Sequence, residues 1–119
     1  MTIRVLNQTR NTIVVAAADV ADTSAKRRVG LLKKDKLDSG EGLWITPCES
    51  VHTFFMKFAI DLVYLDGKRR VRKVRHAVPP WRISGCFAAH SVLELPAGAA
   101  AASSTQRDDQ LLFETVATT

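Results

Sequence analysis

Two cysteines each stand four residues ahead of a histidine: Cys48 before His52, and Cys86 before His90. Thiolate and imidazole are ligands that zinc takes in tetrahedral sites, so two such pairs raise a metal site as one reading. If residues 48–56 ran extended throughout, Cys48, His52 and Met56 would share one face, because side chains alternate along a strand. Thiolate, imidazole and thioether together make a soft set suited to copper(I). Zinc sites commonly place a cysteine pair roughly two to four residues apart. This sequence has no such pair, and no metal ligand is assigned. Cys48 and Cys86 also allow a redox pair, provided their Cα atoms approach to roughly 4.4–6.8 Å. Cys48 with His52 is a minimal nucleophile and base. No Gly-rich oxyanion loop or nucleophile elbow accompanies it, so no catalytic residue is assigned either.

Asp61 lies between Ile60 and Leu62. A buried carboxylate must find a partner or take up a proton. Arg82 or His52 is available to it, and the expected role is a satisfied side chain that fixes strand register or a turn. The functional version is a polar cleft of His52, Asp61, Trp81 and Arg82. Trp81 and Arg82 follow Pro79-Pro80, which predicts a stiff loop. Aromatic and arginine side chains are frequent anchors in binding patches. The candidate binding set is therefore Cys48, His52, Met56, Asp61, Trp81, Arg82 and Cys86.

The formal charge is +5, and most of it sits in the run from Lys68 to Arg75, whose six basic residues are Lys68, Arg69, Arg70, Arg72, Lys73 and Arg75. Such a run invites nucleic-acid binding. On an extended strand Lys68, Arg70 and Arg72 face one way, and Arg69, Lys73 and Arg75 the other. Cations on both faces predict an exposed edge, which discourages strand-to-strand aggregation. No aromatic residue interleaves them, so base stacking is unsupported. A small ligand or protein partner is favoured over nucleic acid. There is no phosphate-cradling Gly-rich loop and no dinucleotide fingerprint, and no cofactor is indicated.

The elements that must position these residues are short. Residues 3–6 and 12–17 read as two strands around the polar turn Asn7-Gln8-Thr9-Arg10-Asn11. Asp22 or Thr23 can cap a helix carrying Ala25, Val29 and Leu32 on one stripe. Residues 51–56 and 58–65 are dominated by strand formers, and the second run, apolar on both faces, predicts a central strand. Asp66-Gly67 signals a hairpin into the basic strand, which Pro79-Pro80 ends. Residues 91–95 alternate as a strand, Pro96 leads into an Ala-rich helix candidate, and residues 110–116 form the last strand candidate. The expected class is α+β, mostly β: a curved antiparallel or mixed sheet, or a partly open β-barrel, with one or two short helices. The 119 residues suit a single domain, 1–119. No apolar stretch approaches the roughly 18 residues of a membrane span. The N-terminus lacks the apolar core of a secretory signal, and two cysteines make no disulfide framework, so the cytoplasm is the expected location.

Several segments, in order, resemble one family. They are Arg28-Val29-Gly30-Leu31-Leu32, Gly40-Glu41-Gly42-Leu43-Trp44-Ile45, His52-Thr53-Phe54-Phe55-Met56-Lys57-Phe58-Ala59-Ile60-Asp61, Val63-Tyr64-Leu65-Asp66 and Leu93-Glu94-Leu95-Pro96-Ala97-Gly98. The chain resembles the widespread bacterial family called domain of unknown function 192, across residues 3–114. Within it, Pro47-Cys48-Glu49-Ser50-Val51-His52-Thr53-Phe54, and Pro80-Trp81-Arg82 followed by Cys86, look like one branch. There are departures. Leu32 stands where the family often has Met, and Asp108-Asp109-Gln110-Leu111 stands for its Gly-Asp-x-Leu. Asp visits left-handed conformations more readily than most residues, so the turn is expected to survive. The resemblance implies a compact β-rich domain and brings no activity, substrate or catalytic set. The expected role is a small non-catalytic domain that binds a ligand or partner. The alternatives are a thiol- or metal-dependent redox or enzyme site at Cys48, His52 and Cys86, and nucleic-acid binding through residues 68–75.

Overall fold

The polar run after residue 6 turns the chain because its side chains supply the hydrogen bonds. Asn7 Oδ1 accepts from the Arg10 amide at 3.0 Å, and Asn11 takes a left-handed φ of 57°. The structure, a computed structural model, describes residues 1–116. In chain order its elements are β1 (Thr2–Asn7), β2 (Thr12–Ala21), α1 (Ser24–Val29), β3 (Glu41–Ile45), β4 (Ser50–His52), β5 (Ile60–Leu65), β6 (Val71–Val78), β7 (Ile83–Gly85), β8 (Ser91–Pro96), α2 (Ala99–Ala102) and β9 (Leu111–Thr115).

Seven strands form one sheet in the order β6-β5-β8-β3-β2-β1-β9. Every neighbouring pair is antiparallel except β2 with β3, whose crossover carries α1. The sheet is therefore mixed, and it curls into a half-barrel. Its two edge strands meet at one corner, where Arg70 bridges Gln110 and the Val71 amide donates to the Asp109 carbonyl at 2.8 Å. Asp108 adopts a φ of 76° in this corner. Its neighbour Asp109 is buried and accepts from Asn7 Nδ2, Arg10 Nε and the Gln106 amide.

The concave side holds one apolar cluster, built from Ile3, Val5, Val15, Val63, Leu65 and Leu93 among others, with Ala100 of α2 closing an end. The convex side of β3, β5 and β8 carries a second, around Ile45, Ile60, Leu62, Tyr64 and Val92. This second cluster is covered by the stretch after α1 (Leu31, Leu32, Leu37) and by Val51 on the small antiparallel ribbon of β4 and β7. All six residues of β5 are buried, as its two apolar faces predict.

The strand expected over residues 51–56 stops at His52. Thr53 is buried, and its hydroxyl donates to the Pro79 carbonyl at 2.7 Å and accepts from the Arg82 amide at 2.9 Å. Phe55 then takes a φ of 67°, and the Met56 amide returns to the Thr53 carbonyl. The chain turns here because Thr53 is tied to a loop far along the sequence, and local strand preference yields to that contact.

Candidate functional site

The convex face is not fully covered. Between α1, β4 and the sheet lies a cavity of about 440 Å³, within the range of small-molecule sites. Each element brings a side chain to it for a local reason. Thr23 caps α1, its hydroxyl accepting from the Lys26 amide at 3.2 Å. Gly30, at φ 49°, lets the chain leave the helix so that Leu31 drops into the convex core. Arg27 and Arg28, in the last turn of α1, are thereby set beside the cavity. Ile45 ends β3, and the Cys48 amide is anchored on the His90 carbonyl at 2.8 Å.

The floor is Glu94, in the middle of β8, paired with Leu43 of β3 and Leu62 of β5. The residue is only 4% exposed. Its carboxyl takes no hydrogen bond and no ion pair from the described residues, and burial alone pushes it up from 4.5 to about 7. Proteins rarely leave a buried polar group without a partner inside the chain. A carboxyl near neutrality can carry or release a proton, and here it faces open space.

Of the candidate residues, Cys48, His52 and Met56 meet at this cavity. Met56 arrives by the turn at Thr53, not by strand alternation. Cys48 Sγ donates to the Ser50 carbonyl at 3.0 Å, and burial raises its thiol above the ordinary value. That disfavours the thiolate a nucleophile needs. Cys86 packs against the same convex core, its amide on the Glu49 carbonyl, and both cysteines are free thiols. Among the described residues, no group of three or more His, Cys, Asp or Glu is placed to hold a metal ion.

Asp61 stands apart, its oxygens committed on the concave side. It accepts from the amides of Ala77 at 2.8 Å, Gly98 at 3.1 Å and Ala100 at 2.9 Å, joining β5 to β6 and to the start of α2. Trp81 and Arg82 lie beyond the cavity on the loop that Thr53 ties down. Trp81, 56% exposed and at φ 68°, packs edge-on to Phe55 at 4.7 Å, and Phe54 links it to His52 through ring contacts at 5.8 and 5.1 Å. Arg82 turns its guanidinium to its own loop, donating to the Pro80 and Trp81 carbonyls. An aromatic rim thus extends outward from His52.

The basic run follows the edge of the sheet. Arg69 lies over the Phe113 ring at 4.4 Å, Lys73 donates to the Gly85 carbonyl at 2.7 Å, and Arg75 reaches Ser84 Oγ at 3.5 Å. Arg72 pairs with Asp66 at 4.0 Å, while Lys68 and Arg70 are exposed. Much of this charge is engaged by the chain itself.

Sequence reasoning did not single out Glu94, Arg27, Arg28 or Thr53. For Glu94 a signal existed: a carboxylate sharing a strand face with Val92 and flanked by Leu93 and Leu95. It becomes a site only if both faces of β8 are covered, which alternation does not tell.

The family model DUF192, described as Uncharacterized ACR, COG1430, matches residues 5–113. A UPF0127 protein of Thermococcus sibiricus is 33% identical over 82 residues, 65% of this chain and 52% of that protein. A UPF0127 protein of Thermococcus gammatolerans is 32% identical over 100 residues, 79% of this chain and 64% of that protein. This chain thus spans about half the length of the first relative and less than two thirds of the second. These relatives are archaeal, so the resemblance is not confined to bacteria. A crystal structure of a protein of unknown function from Novosphingobium aromaticivorans shares the fold, with a TM-score of 0.80 at 19% identity, over 94% of this chain and 84% of that one.

Proposed function

We propose, on the premise that this chain belongs to the DUF192 family and that the family is described only as uncharacterized, that residues 1–119 act as one small, non-catalytic ligand-binding domain. The ligand enters the cavity between α1, β4 and β8 and meets Glu94. The observation that carries this reading is the state of that carboxyl: 4% exposed, facing a cavity, with no partner among the described residues. Burying such a group without a hydrogen bond lowers stability, and a ligand bearing an N–H or O–H donor removes that cost on binding. Cys48, Met56 and Val51 supply the soft and apolar wall, and His52 leads out to the aromatic rim. The free, raised thiol of Cys48 suits a wall side chain better than a nucleophile, and free thiols suit a reducing compartment such as the cytoplasm.

The test is a fragment screen read by methyl NMR on Leu31, Ile45, Val51 and Met56, with wild type beside Glu94→Leu. Donor-bearing fragments are expected to shift these methyls in wild type and to lose that effect in the variant, whose fold is checked by circular dichroism. Hits that gather on another surface, or that bind Glu94→Leu equally well, would remove the reading.

A further inference from the structure

The cavity carries more information than its floor. Arg27 and Arg28 line it from α1, while Glu94 lines it from β8. Among the described residues neither arginine forms an ion pair with any acid. The hydrogen bond made by the Arg27 side chain goes to a neutral acceptor, the Asp22 carbonyl, at 3.3 Å. The Cys48 thiol lines the same cavity. A guanidinium and a carboxyl thus border one cavity, yet no ion pair joins them directly.

A buried charge is normally paired, because it loses hydration without regaining it elsewhere, whereas a half-buried guanidinium keeps donors free for a ligand. Arg27 is half-buried and Glu94 is buried. The space separating them has apolar walls, with Leu31, Ile45 and Val51 among them. One molecule can satisfy both ends only if it carries a cationic or strongly donating group, a short apolar body and an anionic group.

We propose that the cavity takes a small bipolar ligand of the amino-acid or ω-amino-acid kind, its ammonium on Glu94 and its carboxylate on the guanidinium of Arg27, with Arg28 adding positive charge at the outer end. The proposal rests on the reading of this cavity as a ligand site and adds the chemical class. Carboxylate and guanidinium form charge-assisted, often bidentate hydrogen bonds, so the anionic end fixes orientation as well as adding affinity. The cationic end supplies the donors that Glu94 lacks within the chain.

The experiment uses the full chain and three probes of matched length: ε-aminocaproate, n-hexylamine and caproate. Binding is followed by methyl NMR at Leu31, Ile45, Val51 and Met56. The expected result is that ε-aminocaproate binds at least about tenfold more tightly than either single-ended probe. Arg27→Gln should erase its advantage over n-hexylamine, and Glu94→Gln its advantage over caproate, with both variants folded by circular dichroism. If n-hexylamine or caproate matches ε-aminocaproate, one end has no role and the bipolar proposal falls while the ligand reading stands. If none of the three perturbs the cavity methyls although neutral donor fragments do, the outcome is the same. If neither probes nor fragments perturb them, both readings fall together.

Discussion

Asp61 and Glu94 occupy neighbouring strands and are both buried, yet the chain treats them in opposite ways. Asp61 pairs with Leu95, and Leu62 pairs with Glu94, so the two carboxyls lie almost back to back through one sheet. On the concave side Asp61 receives three backbone amides and joins β6 and α2 to β5. On the convex side Glu94 receives none from the described residues and faces a cavity. The first is a fastener, because three fixed backbone amides take the place of water on its oxygens. The second costs stability when ionised, and a group held at that cost beside a cavity marks a candidate site. The difference teaches that burial of a carboxylate says little about its role until its hydrogen bonds are counted.

The largest effect should come from the fastener. Asp61→Ala orphans three amides and is expected to cost about 3–5 kcal/mol in urea unfolding. A loss below about 1 kcal/mol would erase the contrast between the carboxyls. The next effect is the pH dependence of Glu94. An acid raised in the fold holds its proton longer there than in the unfolded chain. Its share of stability is therefore complete below about 4.5 and falls as pH rises through about 7, by about 3 kcal/mol in all. Glu94→Gln should remove that slope, gaining over wild type at pH 8 and matching it near pH 4. Equal slopes in thermal melts of the two proteins would contradict an unpartnered carboxyl.

Two smaller effects probe the loops around the cavity. Thr53→Val strips the hydroxyl from the Pro79 carbonyl and the Arg82 amide, with an expected cost of about 1–2 kcal/mol and a shift of tryptophan emission as the Trp81 loop loosens. No change in emission would mean that Thr53 does not hold the rim. Phe55→Gly should alter stability by less than about 1 kcal/mol. Relief of its left-handed backbone offsets the lost contact with Trp81. A larger loss would make the exposed ring a structural member and weaken its reading as a rim.

The frame was legible where it is written locally. The polar turn at residues 7–11, the Asp66-Gly67 reversal and the two-faced apolar run of β5 each act over a few residues, and together they indicate a curved, mostly β sheet. The turn expected at Asp108-Asp109 is present, with Asp108 in a left-handed conformation. The site was less legible because it depends on distant contacts. Thr53 ends its strand by bonding a loop more than twenty residues away, and that turn is what swings Met56 to the cavity. Glu94 is buried only because the stretch after α1 and the β4–β7 ribbon cover the convex face, and no local pattern in residues 91–96 announces that cover. Arg27 and Arg28 lie in the last turn of α1, where cations are ordinary, and only the absence of a paired acid among the described residues makes them notable.

The most direct test is a carbon-13 titration of the Glu94 carboxyl in the intact chain, with Glu94→Gln to assign the resonance. A midpoint near 7, with the signal unmoved by substitution of any neighbouring donor, is the expected result. A midpoint in the ordinary range near 4.5 would mean that the carboxyl already has its partner and that the cavity is not waiting for one.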